Sequence, residues 1–390
     1  MKLANRVEQI KPSVTLSITA KAKAMKASGI NVISFGAGEP DFDTPVYIKE
    51  AAKAAIDKGK TKYTPSIGTQ DLRKAICEDL KQYNNLSYAP EQIIVSNGAK
   101  HSLYNIFQAI CDKGDEVIIP SPFWVSYPEM VGMAGAKPVM VDFGQKDGFK
   151  ASAEAVKNAI TRKTKVIVLN SPNNPTGAVY NRQALEKIAD IAVKNNIIVI
   201  SDEIYKRLVY DDTKHVSIAS LNDKIKKLTI VVDGVSKTYS MTGWRIGYLA
   251  SEDGALIKAI SNLQDHSTSN PSSISQEAAL SALKTNDGSV EKMRAEFEKR
   301  RNYMVEKVNS IKCLSCVKPE GAFYCFCDIS KTKVKSLEFV EKLLREANTA
   351  VIPGEAFGLA THIRLSYAMS TEDIKEGLSR IERFVEKYYG

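Results

Sequence analysis

The stretch Lys165–Tyr180, KVIVLNSPNNPTGAVY, joins four consecutive apolar side chains to a loop of asparagine, proline and glycine. An unbroken apolar run of that length reads as a strand buried on both faces, because a half-exposed strand would alternate. The turn residues that follow end the strand and reverse the chain. The same rhythm spreads outward on both sides. Gln92–Val95, Glu116–Ile119, Lys137–Val141, Ile197–Ser201 and Thr229–Asp233 also read as strands. Helical spacing marks Ala99–Cys111, Ser152–Ile160 and Arg182–Lys194 between them. Strand and helix in alternation predict an α/β fold with a mostly parallel sheet covered by helices on both faces. Trp244–Ala250 adds a strand that could run either way.

After Asp287 the pattern changes. A long charged helix over Ser289–Asn309 leads to strands near Cys313–Val317 and Ala322–Ile329, then two helices and the strand His362–Ser366. This reads as a smaller α+β domain. The expected division is a large domain over 44–286, and a small domain over 287–390 that takes in the N-terminal segment 1–43.

At 390 residues, 44% hydrophobic and 25% charged, the chain has a globular composition and enough length for a sizeable core. Its 54 Lys and Arg outnumber 45 Asp and Glu, a formal charge of +9. The basic residues are dispersed, which argues against nucleic acid and for an enzyme that attracts small anions. MKLANRVEQIKPS has no apolar core of a signal, and no run approaches the roughly 18 apolar residues of a membrane span. A cytoplasmic location without membrane contact is expected. Cys313, Cys316, Cys325 and Cys327 have a superficial metal-ligand spacing. FYCFCDI nevertheless reads as a strand whose thiols face a core, so no metal is expected.

Several polar or glycine-containing segments lie just past the carboxyl ends of predicted strands: Ser96–Lys100, Asn170–Gly177, Asp202–Tyr205 and Gly234–Lys237. Ligands bind at that edge of an open α/β sheet. Gly98-Ala99-Lys100 opens a helix, whose first amides either hold an anion or merely follow a turn. Asp202 either caps the next helix or meets a cation in the crevice. Tyr205 would share its helical face. Lys237 is either a snorkelling surface lysine or a desolvated amine able to form a Schiff base with an aldehyde. Arg245 offers a fork of donors for a phosphate. Arg364, inside the strand HIRLSY, needs a carboxylate, supplied by the fold or by a substrate.

Together these segments resemble the fold-type I, class I pyridoxal-phosphate aminotransferases, and within them the bacterial aspartate aminotransferases of the aspartate/prephenate subgroup. The resemblance runs through SFGAGEPDFDTP (Ser34–Pro45), KYTPSIGTQDLR (Lys62–Arg73), SPFWVSYPEM (Ser121–Met130), NSPNNPTGAVY (Asn170–Tyr180), SDEIY (Ser201–Tyr205), SKTYSMTGWRIGY (Ser236–Tyr248) and IRLSYA (Ile363–Ala368).

The resemblance implies pyridoxal 5'-phosphate as cofactor and Lys237 as the lysine that joins its aldehyde and shuttles the proton. Asp202 matches the carboxylate at the pyridine nitrogen, Tyr205 and Asn174 the contacts to the ring 3-oxygen, and Trp124 the aromatic residue on the ring face. Arg245, Ser236 and the Gly98-Ala99-Lys100 turn match the phosphate cradle. Tyr63 matches a residue reaching the phosphate of a neighbouring subunit, which implies a homodimer with shared sites. Arg364 and Gly38 match contacts to the substrate α-carboxylate. Lys100 and Thr15 match positions near the distal carboxylate. The implied reaction is ping-pong transfer of the amino group of L-aspartate to 2-oxoglutarate through pyridoxamine phosphate. Prephenate, aromatic acids or alanine are alternative substrates; C–S β-elimination and a non-catalytic regulatory role on the same scaffold are more distant ones.

Overall fold

The computed structural model describes residues 3, 5–8, 10 and 14–390. The apolar runs become a seven-stranded sheet. Its strands are β1 (Ile93–Ser96), β2 (Glu116–Ser121), β3 (Lys137–Asp142), β4 (Thr164–Asn170), β5 (Ile198–Asp202), β6 (Thr229–Gly234) and β7 (Gly247–Ala250). Their spatial order is β1-β7-β6-β5-β4-β2-β3. Only β7 is antiparallel to its neighbours, which settles the direction that the sequence left open. The other pairs are parallel, so β1, β4, β5 and β6 end at one edge.

Alternation of side chains sends one set to each face. Ile94, Val117, Val166, Ile200 and Val232 pack with Leu103, Ile106 and Phe107 of helix α2 (Ala99–Ile110). On the opposite face, Ile118, Ile167 and Val199 pack with Leu185, Ile188 and Ala192 of α3 (Arg182–Asn195), and Ile93, Val95 and Val231 with Leu72, Ile76 and Leu80 of α1 (Gln70–Asn84). The predicted helix over Ser152–Ile160 spans Ala153–Ala159, because Ser152 serves as its cap and accepts the Ala155 N–H. Asn181 caps α3 in the same way. Each such cap supplies about 1 kcal/mol.

The smaller domain carries an antiparallel sheet of β8 (Ser315–Cys316), β9 (Tyr324–Asp328), β10 (Ile352–Pro353) and β11 (His362–Ser366), in the order β10-β11-β9-β8. Helix α4 (Ser289–Ser310) precedes it, and α5 (Ser336–Ala347) and α6 (Thr371–Tyr389) follow β9 and β11. Residues Ile33–Ser34 pair in parallel with Thr349–Ala350, tying the N-terminal stretch to this part of the chain. The six cysteines are free; Cys325 and Cys327 are fully buried, and Cys316 lies opposite Cys327. Among the described residues no helix is long and apolar enough to cross a membrane.

Candidate active site

At the carboxyl edge of the large sheet lies a cavity of about 800 Å³. The segments that follow β1, β4, β5 and β6 all reach it, and β11 contributes from the smaller sheet. Gly38, Ala99, Lys100, Trp124, Asn174, Asp202, Tyr205, Ser236, Lys237, Arg245 and Arg364 line it, and Thr15 does so from the helix Val14–Ala27. Gly98, the residue before Ala99, does not line it. Tyr63 does not line the cavity and is 92% exposed, so within one chain it completes no site.

Asp202 ends β5 and is buried. No helix follows it, so of the two readings open for Asp202 the capping one does not apply; residues 204–207 form a turn. One carboxylate oxygen accepts the Ile204 N–H at 3.3 Å, and the other accepts the Tyr127 hydroxyl at 2.6 Å. Burial raises its pKa to about 6; the two hydrogen bonds oppose that rise, and the nearby Asp233 and Glu203 carboxylates add to it. These two donors hold the carboxylate in place, and among the described residues no cationic side chain forms an ion pair with it.

Lys237 is not a snorkelling surface lysine. Its Nζ donates to Gly38 O at 2.6 Å, and burial lowers its pKa to about 8, with Arg245 and Arg364 contributing repulsion against the attraction of Glu39. A substantial fraction is therefore the neutral, nucleophilic amine near physiological pH.

Arg364 is buried, and among the described residues it has no carboxylate partner. Its Nη1 donates to Asn174 Oδ1 at 3.0 Å and its Nη2 to Gly36 O at 3.2 Å, while Nε finds no acceptor. A structural ion pair is thus excluded here, and a buried guanidinium with an unspent donor calls for an incoming anion. Asn174 is fixed in turn: its N–H donates to Asn170 Oδ1 at 2.9 Å, and Asn170 Nδ2 donates to Asp202 O at 3.1 Å. Asn173 Oδ1 accepts both the amide and the hydroxyl of Thr176. The amide side chains of this loop therefore hold its own backbone together across the edges of β4 and β5.

At the helix end, Gly98 has φ +87°, and a Cβ there would strike Arg245 Nη2 at 2.3 Å. Glycine leaves the space in which the guanidinium lies beside the start of α2. His101 and Ser102 donate their amides back to Gly98 O, which leaves the amides of Ala99 and Lys100 at the cavity wall. Among the described residues Arg245 itself donates only to the carbonyls of Thr242 and Asn97. Lys100, Lys237, Arg245 and Arg364, with Lys23 and Lys26 from the helix Val14–Ala27, thus line one cavity with two carboxylates, Glu39 and Asp202. The donor set fits a phosphorylated pyridine aldehyde together with a carboxylic acid.

Residue type alone did not single out Tyr127, Asn170 or Tyr324. Tyr127 and Asn170 stand inside the segments SPFWVSYPEM and NSPNNPTG, where strand-edge position was the available signal. Tyr324 begins β9 within FYCFC, which read only as core.

The model of the family described as aminotransferase class I and II matches residues 30–381. The aspartate aminotransferase of Bacillus subtilis is 51% identical over 395 residues, covering 100% of both chains. The probable aspartate/prephenate aminotransferase of Aquifex aeolicus is 50% identical, covering 99% of each. The structure of Thermus thermophilus aspartate aminotransferase with maleate superimposes with a TM-score of 0.95 at 43% identity, over 98% of this chain and 99% of that one. An aspartate aminotransferase structure from Rhizobium meliloti gives 0.95 at 41% identity, over 98% of each. With a family model matching most of its length and relatives about half identical over their whole length, the chain belongs to the class I and II aminotransferases and is a pyridoxal-phosphate-dependent enzyme.

Proposed function

We propose that this enzyme is an aspartate aminotransferase, exchanging the amino group of L-aspartate with 2-oxoglutarate to give oxaloacetate and L-glutamate. The observation that carries the reading is the convergence of Lys237, Asp202 and Arg364 on one cavity, with Arg364 having no carboxylate partner among the described residues. Arg245, Ser236 and the Ala99 and Lys100 amides would hold the cofactor phosphate. Asp202 would face the ring nitrogen, Tyr205 and Asn174 the ring oxygen, and Trp124 the ring face. When bound, pyridoxal phosphate supplies an aldehyde for amines and a protonated ring that takes up the electron pair of a breaking Cα–H bond.

Arg364 exchanges its backbone acceptor for the substrate α-carboxylate and so fixes the direction of the Cα–H bond. Lys237, with a pKa near 8, accepts that proton from Cα and gives it back on the product side. Asp202, kept anionic by a cationic partner, holds the proton on the ring nitrogen. Lys100 and Thr15 both line the cavity, and a substrate's second carboxylate held beside them would favour dicarboxylates over branched or small neutral side chains. The names of the Bacillus subtilis and Thermus thermophilus relatives support the same choice. A second reading, use of prephenate, draws support from the name of the Aquifex aeolicus relative and from prephenate being itself a dicarboxylate.

The exposed Tyr63 supports a homodimer in which each subunit completes the other's phosphate site. We propose the division into a large domain over 44–286 and a small one over 287–390 with residues 1–43.

The test is a half-reaction. Aspartate alone should bleach the visible absorbance of the loaded enzyme and release oxaloacetate, and 2-oxoglutarate should restore it. Pyruvate released from cystathionine without bleaching would replace the proposal with a C–S lyase. A panel of amino donors against 2-oxoglutarate and prephenate separates the two substrate readings.

A further inference from the structure

Tyr324 is fully buried at the start of β9, paired in register with Ser366 of β11, and it lines the cavity. Its hydroxyl lies 3.0 Å from the Tyr205 hydroxyl. Its ring lies under the Arg364 guanidinium, with Cζ 4.3 Å from the ring centroid. One side chain thus touches both the phenol proposed for the ring oxygen and the clamp proposed for the α-carboxylate. Neighbouring Phe323 and Phe326 show that this core accepts a ring without a hydroxyl. The hydroxyl of Tyr324 therefore calls for its own explanation.

Proton counting supplies one. Tyr205 has a single hydroxyl hydrogen. If Tyr205 donates it to Tyr324, none remains for an oxygen in the cavity. If Tyr324 is the donor, the Tyr205 hydrogen is free to point inward. We propose that Tyr324 is a positioning residue that donates to Tyr205 Oη, so orienting the Tyr205 hydroxyl toward the cofactor ring oxygen, while its ring carries Arg364. The inference rests on the assignment of Tyr205 made above. Arg364, Glu39 and Asp202 are the charged groups whose fields act on the tyrosine pair, and the positive charge of Arg364 over Tyr324 favours Tyr324 as donor.

A hydrogen bond donated to the ring oxygen stabilises its anionic form, and a donor that itself accepts a hydrogen bond donates more strongly. The experiment is a pH titration of the visible absorbance of the cofactor-loaded enzyme, with maleate binding as a second readout. Tyr205→Phe should move the titration midpoint upward. Tyr324→Phe, which removes one oxygen and keeps the ring, should move it the same way by about half a pH unit, with the maleate Kd unchanged within about twofold. Tyr324→Leu should weaken maleate about tenfold in addition, since the ring beneath Arg364 is lost. A shift in Tyr205→Phe with none in Tyr324→Phe would overturn the positioning role alone. No shift in either variant would remove Tyr205 from the ring oxygen, and the inference with it.

Discussion

Lys206 and Lys237 follow adjacent parallel strands at the same sheet edge, yet their surroundings make them opposites. Lys206 Nζ lies 2.6 Å from Asp79, 2.8 Å from Asp233 and 2.8 Å from Asn84. Burial works against its charge, but the Asp233 and Asp79 carboxylates more than reverse that and push its pKa well up. Lys237 has one carbonyl acceptor and, among the described residues, no carboxylate within ion-pair distance, so burial wins and its pKa falls to about 8. Burial alone therefore makes neither a structural nor a reactive lysine. The count of anionic partners decides, and a lysine left without them at a cavity wall is available for chemistry.

Exchanging the two residues' fates by mutation gives the largest expected effects. Lys237→Ala should lower steady-state transamination by about 10⁴-fold or more, because both amine chemistry and proton transfer are lost. Its thermal unfolding should change little, since no ion pair is broken. Normal turnover in that variant would dissolve the comparison. Lys206→Met should do the reverse. It leaves Asp79 and Asp233 facing each other unpaired, which costs about 3–5 kcal/mol, a factor of roughly 10³ in the folding equilibrium. Because the folded pKa of Lys206 is raised, its contribution is complete at neutral pH and fades only in strong alkali. Thermal unfolding at pH 7 is thus the appropriate measurement, and an unchanged Tm would refute the structural role.

The third test uses pH. In cofactor-free enzyme, labelling of Lys237 by an amine reagent should rise about tenfold between pH 7 and pH 9 and then level off, following the neutral fraction of an amine with a pKa near 8. An ordinary lysine would rise about a hundredfold over the same range and continue upward. Lys206 should stay unlabelled throughout. A Lys237 profile like that of a surface lysine would contradict the desolvated environment.

Much of this arrangement was legible in the sequence because local pattern carries it. Apolar runs followed by turn residues mark strand ends, and strand ends of one direction share an edge. The loops at Asn170–Gly177, Asp202–Tyr205 and Gly234–Lys237 are therefore assigned to one edge by the sequence pattern alone. Contacts between distant segments were not legible. Nothing local in Tyr127 points to Asp202, 75 residues away, and nothing in Asp79 points to Lys206, 127 residues away. The same limit left Lys237 and Arg364 ambiguous, since their readings turn on which carboxylates lie nearby. The direction of β7 was open for a related reason: a short apolar strand pairs equally well either way until the chain around Arg245 fixes its approach.

A third lysine sharpens the comparison with the smallest effect. Lys100 has neither the closed network of Lys206 nor the enclosure of Lys237. Its ammonium lies 4.9 Å from the centroid of Trp124, and burial followed by repulsion from Arg245 lowers its pKa without a carboxylate to oppose them. A cation in that position is short of an anion but still in contact with water, so its attraction for a distal carboxylate is screened. Lys100→Ala should lower kcat/KM for aspartate about fivefold relative to a neutral amino acid, a loss near 1 kcal/mol. Added salt should narrow the difference between wild type and variant for aspartate and leave the neutral substrate unaffected. Equal losses for both substrates would assign Lys100 to the cofactor phosphate, because a contact shared by every substrate cannot discriminate among them.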